Sequence, residues 1–102
     1  MANTMETTFT YRNMESTEAL RQHTLDKLDR LSKYLFTTSS VHVIFNVEGH
    51  RHVAEITVNV KGGRFVGSES SKDMYTSIDG AVDNLKKQLK REKDRIKGHK
   101  GE

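Results

Sequence analysis

The stretch SKDMYTSIDGAVDNLKKQLKREKDRIK, Ser71–Lys97, decides how the rest of the chain must fold. At about 100° per residue, its Met74, Ile78, Val82, Leu85, Leu89 and Ile96 fall within roughly 40° of one line. That pattern predicts a helix of about seven turns, with a narrow apolar stripe that must be buried against a partner. Ser70 or Ser71 is placed to cap it. Asp73, Asp79 and Asp83 occupy its first half, where a helix N-terminus favours negative charge. From Asn84 to Lys100, eight basic residues meet only Glu92 and Asp94, a local balance of 8 − 2 = +6 in a chain whose total is +3. The positive charge is therefore concentrated on this element, and the remainder of the chain is net acidic.

Working outward, the preceding residues alternate. Val41, Val43, Phe45 and Val47 share one face of a strand, and Ala54, Ile56, Val58 and Val60 repeat the alternation over 52–61. Glu48–Arg51 reads as a turn, and Gly62–Gly63 as a tight hairpin leading to a short, polar strand at Arg64–Ser70. Near the start, Glu6–Arg12 places Thr7, Phe9 and Tyr11 on one side of a further strand. Ser16 or Thr17 then caps a helix over about Glu18–Phe36, with Leu20, Thr24, Leu28, Leu31, Tyr34 and Leu35 facing inward and Thr37–Ser40 breaking it. The order β-α-β-β-β-α predicts an α+β, two-layer sandwich. Two helices pack on one face of a four-stranded, mostly antiparallel sheet whose other face is open to water. Residues 1–102 are one domain, with a loose tail at 1–4 and an ordered core over about 5–97.

With 33% hydrophobic residues the core is thin, against a usual apolar share of roughly 45–50%. The absence of Cys excludes disulfides and thiolate metal sites. No apolar run approaches a signal h-region or a membrane span, so a cytoplasmic protein without membrane contact is expected. A pI near 9.3 points to an anionic partner, of which nucleic acid is the commonest.

No catalytic constellation is visible. His50 and His52 are close in sequence, but Arg51 lies between them and no Cys or carboxylate pair stands nearby, so surface histidines are the plainer reading. Asp79 and Asp83, at i and i+4, have the spacing to share Mg²⁺ in a nuclease, yet they have no companion acids or histidines in the pattern. No metal, cofactor or catalytic residue is expected. Gly80, in mid-helix at a cost of about 1 kcal/mol relative to Ala, reads as a tolerated surface residue. The basic residues carry more information. Lys87, Arg91 and Arg95 recur at i, i+4 and i+8 opposite the apolar stripe, while Lys86, Lys90, Lys93 and Lys97 form a row on one flank. A solvated helix would intersperse Glu among them; retaining like charges side by side suits a polyanion. The flank row is expected to lay its aliphatic stems along the sheet edge or the first helix. The outer row, with its two arginines, suits bidentate phosphate contact. Lys27, Arg30 and Lys33, spaced by three, drift down one side of the first helix, with Asp26 and Asp29 beside them.

Asp73-Met74-Tyr75-Thr76-Ser77-Ile78-Asp79, followed by Asn84-Leu85-Lys86-Lys87-Gln88-Leu89, resembles the signature of the ribosome hibernation promoting factor family. Ala19-Leu20-Arg21 through Lys27-Leu28-x-Arg30-Leu31-x-Lys33-Tyr34 is similar to the family's first helix, and the Gly62–Gly63 hairpin falls where such proteins have one. The resemblance runs from Met5 to about Lys97. It implies a non-enzymatic, stress- and stationary-phase translation inhibitor that binds the decoding region of the small ribosomal subunit and its ribosomal RNA, blocking messenger and transfer RNA. By position it marks Lys27, Arg30 and Lys33, with Lys87, Arg91 and Arg95, as RNA-facing; Lys86 and Lys90 join them on charge. Asn84 departs from the pattern, since relatives often have Lys there. The chain resembles the short form, monomeric when free, which acts with a separate ribosome modulation factor to give ribosome dimers. A general double-stranded RNA-binding module, with its αβββα layout and basic helix ends, is the alternative.

Overall fold

In the computed structural model, which describes residues 5–35 and 39–101, with side chains over 6–35 and 39–94, the β-α-β-β-β-α order is as expected. Strand β1 is Met5–Arg12, helix α1 Glu18–Asp29, β2 Ser39–Glu48, β3 Arg51–Val60, β4 Gly63–Ser71 and helix α2 Met74–Gly101. The strands form one sheet in the order β1-β2-β3-β4, parallel between β1 and β2 and antiparallel in the other two pairings. The parallel pair follows from the connection, because α1 carries the chain back across the sheet, whereas β2, β3 and β4 follow one another through short turns. Gly49 and Gly62 hold those turns at φ of 62° and 84°.

Register lines up the apolar faces across the sheet. Phe9, Val43, Ile56 and Gly67 form one row, and Thr7, Val41, Val58 and Phe65 the next. Against them lie Leu20 and Leu28 of α1 and Met74, Ile78, Ala81, Val82, Leu85 and Leu89 of α2, all buried. Ile96, the last member of the predicted stripe, lies outside the described side chains. Phe9, Tyr11 and Phe45 close the β1 end with ring centroids 5.2–6.4 Å apart.

α1 is shorter than its periodicity predicts. Thr17 caps it, accepting from the Leu20 amide at 2.9 Å, but the α-helix stops at Asp29 and one 3-10 turn follows at Ser32–Tyr34. The Ser32 hydroxyl donates to the Asp29 carbonyl at 2.9 Å, offering the backbone an alternative to the helical ladder. The tighter turn still buries Leu31 and Leu35. Phe36, Thr37 and Thr38, expected to end the helix and break it, lie outside the described residues, while Ser39 and Ser40 belong to β2.

α2 starts three residues later than expected, and Asp73, not Ser70 or Ser71, is its cap. The Asp73 carboxylate accepts from the Thr76 amide at 3.1 Å and hydroxyl at 2.9 Å. Ser71 instead braces the turn, donating to the Asp73 carbonyl at 2.7 Å, and the Ser77 hydroxyl donates to the His52 carbonyl of β3. The hydrogen bonds from the Thr76 side chain and amide hold the Asp73 carboxyl below its ordinary value. A depressed carboxyl stabilises the fold above the unfolded-state pKa of about 3.9, and that contribution is lost as pH falls through the lower folded value. Asp73→Ala should therefore melt below the parent at neutral pH, and the gap should close in strongly acid buffer; melts in steps of pH check this.

Two glycines mark where α2 meets β4. A Cβ at Gly67 would overlap the Ala81 carbonyl oxygen and stand 2.8 Å from Leu85 Cγ, so only Gly allows this approach. A Cβ at Gly80 would stand 2.6 Å from Glu69 Cγ. Gly80 is thus a half-buried packing position under Glu69, not the tolerated surface residue its helical setting suggested. Asn84 and Gln88 complete the junction, donating to the Ser68 and Val66 carbonyls at 3.0 and 2.7 Å. They occupy acceptors on an edge strand that would otherwise invite another chain.

Candidate nucleic-acid interface

Both helices lie on one face of the sheet, and between them runs an open groove of about 580 Å³. One wall is the end of α1 and the turn after it, contributing Lys27, Arg30 and Lys33; the other is α2, contributing Lys86. Four of the eight basic residues singled out in the sequence thus meet in one concavity. Arg30, Lys33 and Lys86 are exposed and Lys27 is half-buried. Leu31 and Val82 give the groove an apolar floor, and Asp29, Asp79 and Asp83 also reach it.

Two of those acids have side-chain partners. Asp79 Oδ1 lies 2.8 Å from His23 Nε2 and 3.8 Å from Lys27 Nζ, both on α1. The His23 ring also meets Tyr75 edge-on at 4.9 Å. Asp83 lies 3.5 Å from Lys87 Nζ, one turn further along its own helix. This leaves little of the Mg²⁺ geometry suggested by the i, i+4 spacing, and among the described residues no three metal-ligating side chains come together. The role of Asp79 is to join the helices at the head of the groove and orient Lys27. Nothing in the sequence signalled it, because the partners are 56 residues apart.

The two predicted rows of α2 fall on different shoulders. Lys86 faces α1 across the groove, and Lys93, further along that row, has its ammonium 5.7 Å from the centre of the Tyr34 ring. The expectation for the flank row is stems laid there with the ammoniums in water; instead the Lys93 ammonium itself meets a ring of the turn after α1, and Lys86 lines the groove with Lys27, Arg30 and Lys33. Lys87 and Arg91 are exposed outside it, and Lys90 is exposed as well. The Arg95 and Lys97 side chains lie outside the described residues. Asn84 has its amide turned to β4.

The profile of the family described as Sigma 54 modulation protein / S30EA ribosomal protein matches residues 7–97. A ribosome hibernation promoting factor of Salmonella typhimurium is 39% identical over 95 residues, spanning 93% of this chain and 100% of that protein. One from Escherichia coli is 38% identical over the same lengths, and one from Pseudomonas putida 33% identical over 91 residues, 89% of each chain. Among solved structures, the N-terminal domain of Protein Y from Thermus thermophilus aligns with a TM-score of 0.77 at 35% identity, covering 89% of this chain and 98% of that one. A ribosomal subunit interface protein from Coxiella burnetii gives 0.79 at 25% identity, covering 88% and 99%.

Proposed function

Because the chain belongs to the Sigma 54 modulation protein / S30EA ribosomal protein family, we propose that it silences translation by lodging its helical face in the decoding region of the small ribosomal subunit. The family is one of non-enzymatic ribosome-binding proteins, and the names of its relatives support a role in ribosome hibernation. The finer reading rests on the groove. Arg30, Lys33 and Lys86 converge there with Lys27, which is shared with Asp79, from α1, the turn after it and α2. Cations of separate segments thus face one concave surface, as contact with a folded phosphate backbone would use. Occlusion then needs no chemistry. A rigid body seated on ribosomal RNA in the path of messenger and transfer RNA excludes both, in the cytoplasm where ribosomes work. Cooperation with a separate ribosome modulation factor in pairing ribosomes belongs to the same proposal.

A general double-stranded RNA-binding module does not account for β1, which pairs with β2 along its length and closes the core through Phe9 and Tyr11.

Sedimentation with purified ribosomes and separated subunits tests the reading. The protein should pellet with small subunits and intact ribosomes and stay in the supernatant with large subunits. Its affinity should fall steeply as salt rises, because each phosphate contact releases counterions. Equal pelleting with large subunits would reduce the groove to a non-specific polyanion surface.

A further inference from the structure

Lys33 lines the groove, and the next residue, Tyr34, lines a second concavity of different character. This cleft of about 190 Å³ is walled by Tyr34, Val60 and Phe65, with Lys61, Glu92 and Lys93 among the residues at its lining. Tyr34 and Phe65 are both half-buried. The ammoniums of Lys33 and Lys93 stand 5.4 and 5.7 Å from the centre of the Tyr34 ring. Core packing explains why Val60 and the rings are apolar. It does not explain why an aromatic slot opens to solvent with two lysines and a carboxylate on it.

We propose that this cleft takes one unpaired nucleobase of an RNA strand lying in the groove, against Tyr34 and Phe65, with its amino edge at Glu92 and a neighbouring phosphate at Lys61 or Lys93. The inference rests on the RNA-binding reading above and adds a subsite to it. Each part of a nucleotide finds its counterpart. The flat ring suits aromatic walls, since sequence-specific RNA recognition works mostly by splaying out unstacked bases and stacking them on such side chains. The amino group of cytosine, adenine or guanine is a donor, and a carboxylate is an acceptor with several lone-pair sites. The phosphate requires a cation within one nucleotide of the base, and two lysines supply it. Continuity with the groove favours RNA over a peptide. Lys33 lines the groove and Tyr34 the cleft, so one strand reaches both without leaving the surface.

The experiment is a titration of the isotope-labelled full chain with CMP, GMP, AMP and UMP, followed by amide chemical shifts. CMP should move the amides of Leu35, Lys61, Gly62, Gly63 and Phe65, and UMP, with a carbonyl where cytosine has its amino group, should move them less. Phe65→Leu keeps an apolar core residue and removes the ring, and should weaken CMP binding on the order of tenfold. Lys61→Glu, at an exposed turn position with no packing role, should weaken it also. The inference is overturned if CMP shifts only the groove residues, if UMP binds as well as CMP, if inorganic phosphate reproduces the whole pattern, or if a glutamyl-tryptophan dipeptide binds more tightly than CMP. Ribosome sedimentation of the parent protein separates the two readings. A chain that pellets with small subunits but ignores CMP loses the cleft alone, and a chain that ignores small subunits loses the groove.

Discussion

Reversing two exposed cations of the groove, Arg30→Glu with Lys86→Glu, should lower affinity for small ribosomal subunits on the order of 100-fold near physiological salt. Each lost phosphate contact should also reduce the slope of log affinity against log salt by about one. The two residues stand on different elements and share one concave surface, so the reversal puts two carboxylates where a phosphate backbone would lie. Both side chains are exposed, and surface changes of this kind usually alter stability by no more than about 0.5 kcal/mol, so the melting temperature should barely move. The matched reversal on the outer shoulder, Lys87→Glu with Arg91→Glu, should cost about tenfold or less. Lys87 is already partly neutralised by Asp83 at 3.5 Å, and neither residue lines the groove. Filter binding or sedimentation across a salt series reads both doubles. Equal losses would mean that the basic surface of the two helices acts as diffuse charge. A larger loss from the outer pair would return the assignment to the row favoured by its arginines and its position in the family pattern.

The second large effect is on folding. Leu85→Ala should destabilise the protein by about 2–5 kcal/mol, a large share of the roughly 5–15 kcal/mol that holds a domain of this size. Leu85 is fully buried and packs where α2 runs closest to β4, its Cγ only 2.8 Å from where a Cβ on Gly67 would stand. The cost of such a truncation depends on how far the site can collapse. Here Asn84 and Gln88 tie the helix to the Ser68 and Val66 carbonyls on either side of the gap, so closure is restricted and the upper half of the range is expected. At about 4–8 °C per kcal/mol for a domain of this length, the melting temperature should fall by on the order of 15–40 °C. A melt that shifts by only a degree or two would show that α2 does not depend on this contact.

Sequence by itself determined the elements and the sides on which they are buried, because that information is local. A period of 3.6 from Met74 to Leu89 and a period of 2 from Val41 to Val47 set which side chains share a face, and one face of each element had to be covered. With the order β-α-β-β-β-α, that left few ways to stack two layers. Local signals failed first at the ends of elements. Ser70, Ser71 and Asp73 all have capping side chains, and only the strand register that ends β4 at Ser71 places Asp73 at the first free amides of α2. Tertiary structure alone decided whatever depends on the angle at which one element meets another. Gly67 and Gly80 acquire their meaning from the Ala81 carbonyl and Glu69, on elements they could not signal. His23 and Asp79 meet across 56 residues because two helices pack side by side. Lys86 and Lys87 are adjacent and equally charged, and no count of cations separates them. The direction in which α1 lies from α2 turns Lys86 into the groove and leaves Lys87 outside it, because successive side chains on a helix point about 100° apart.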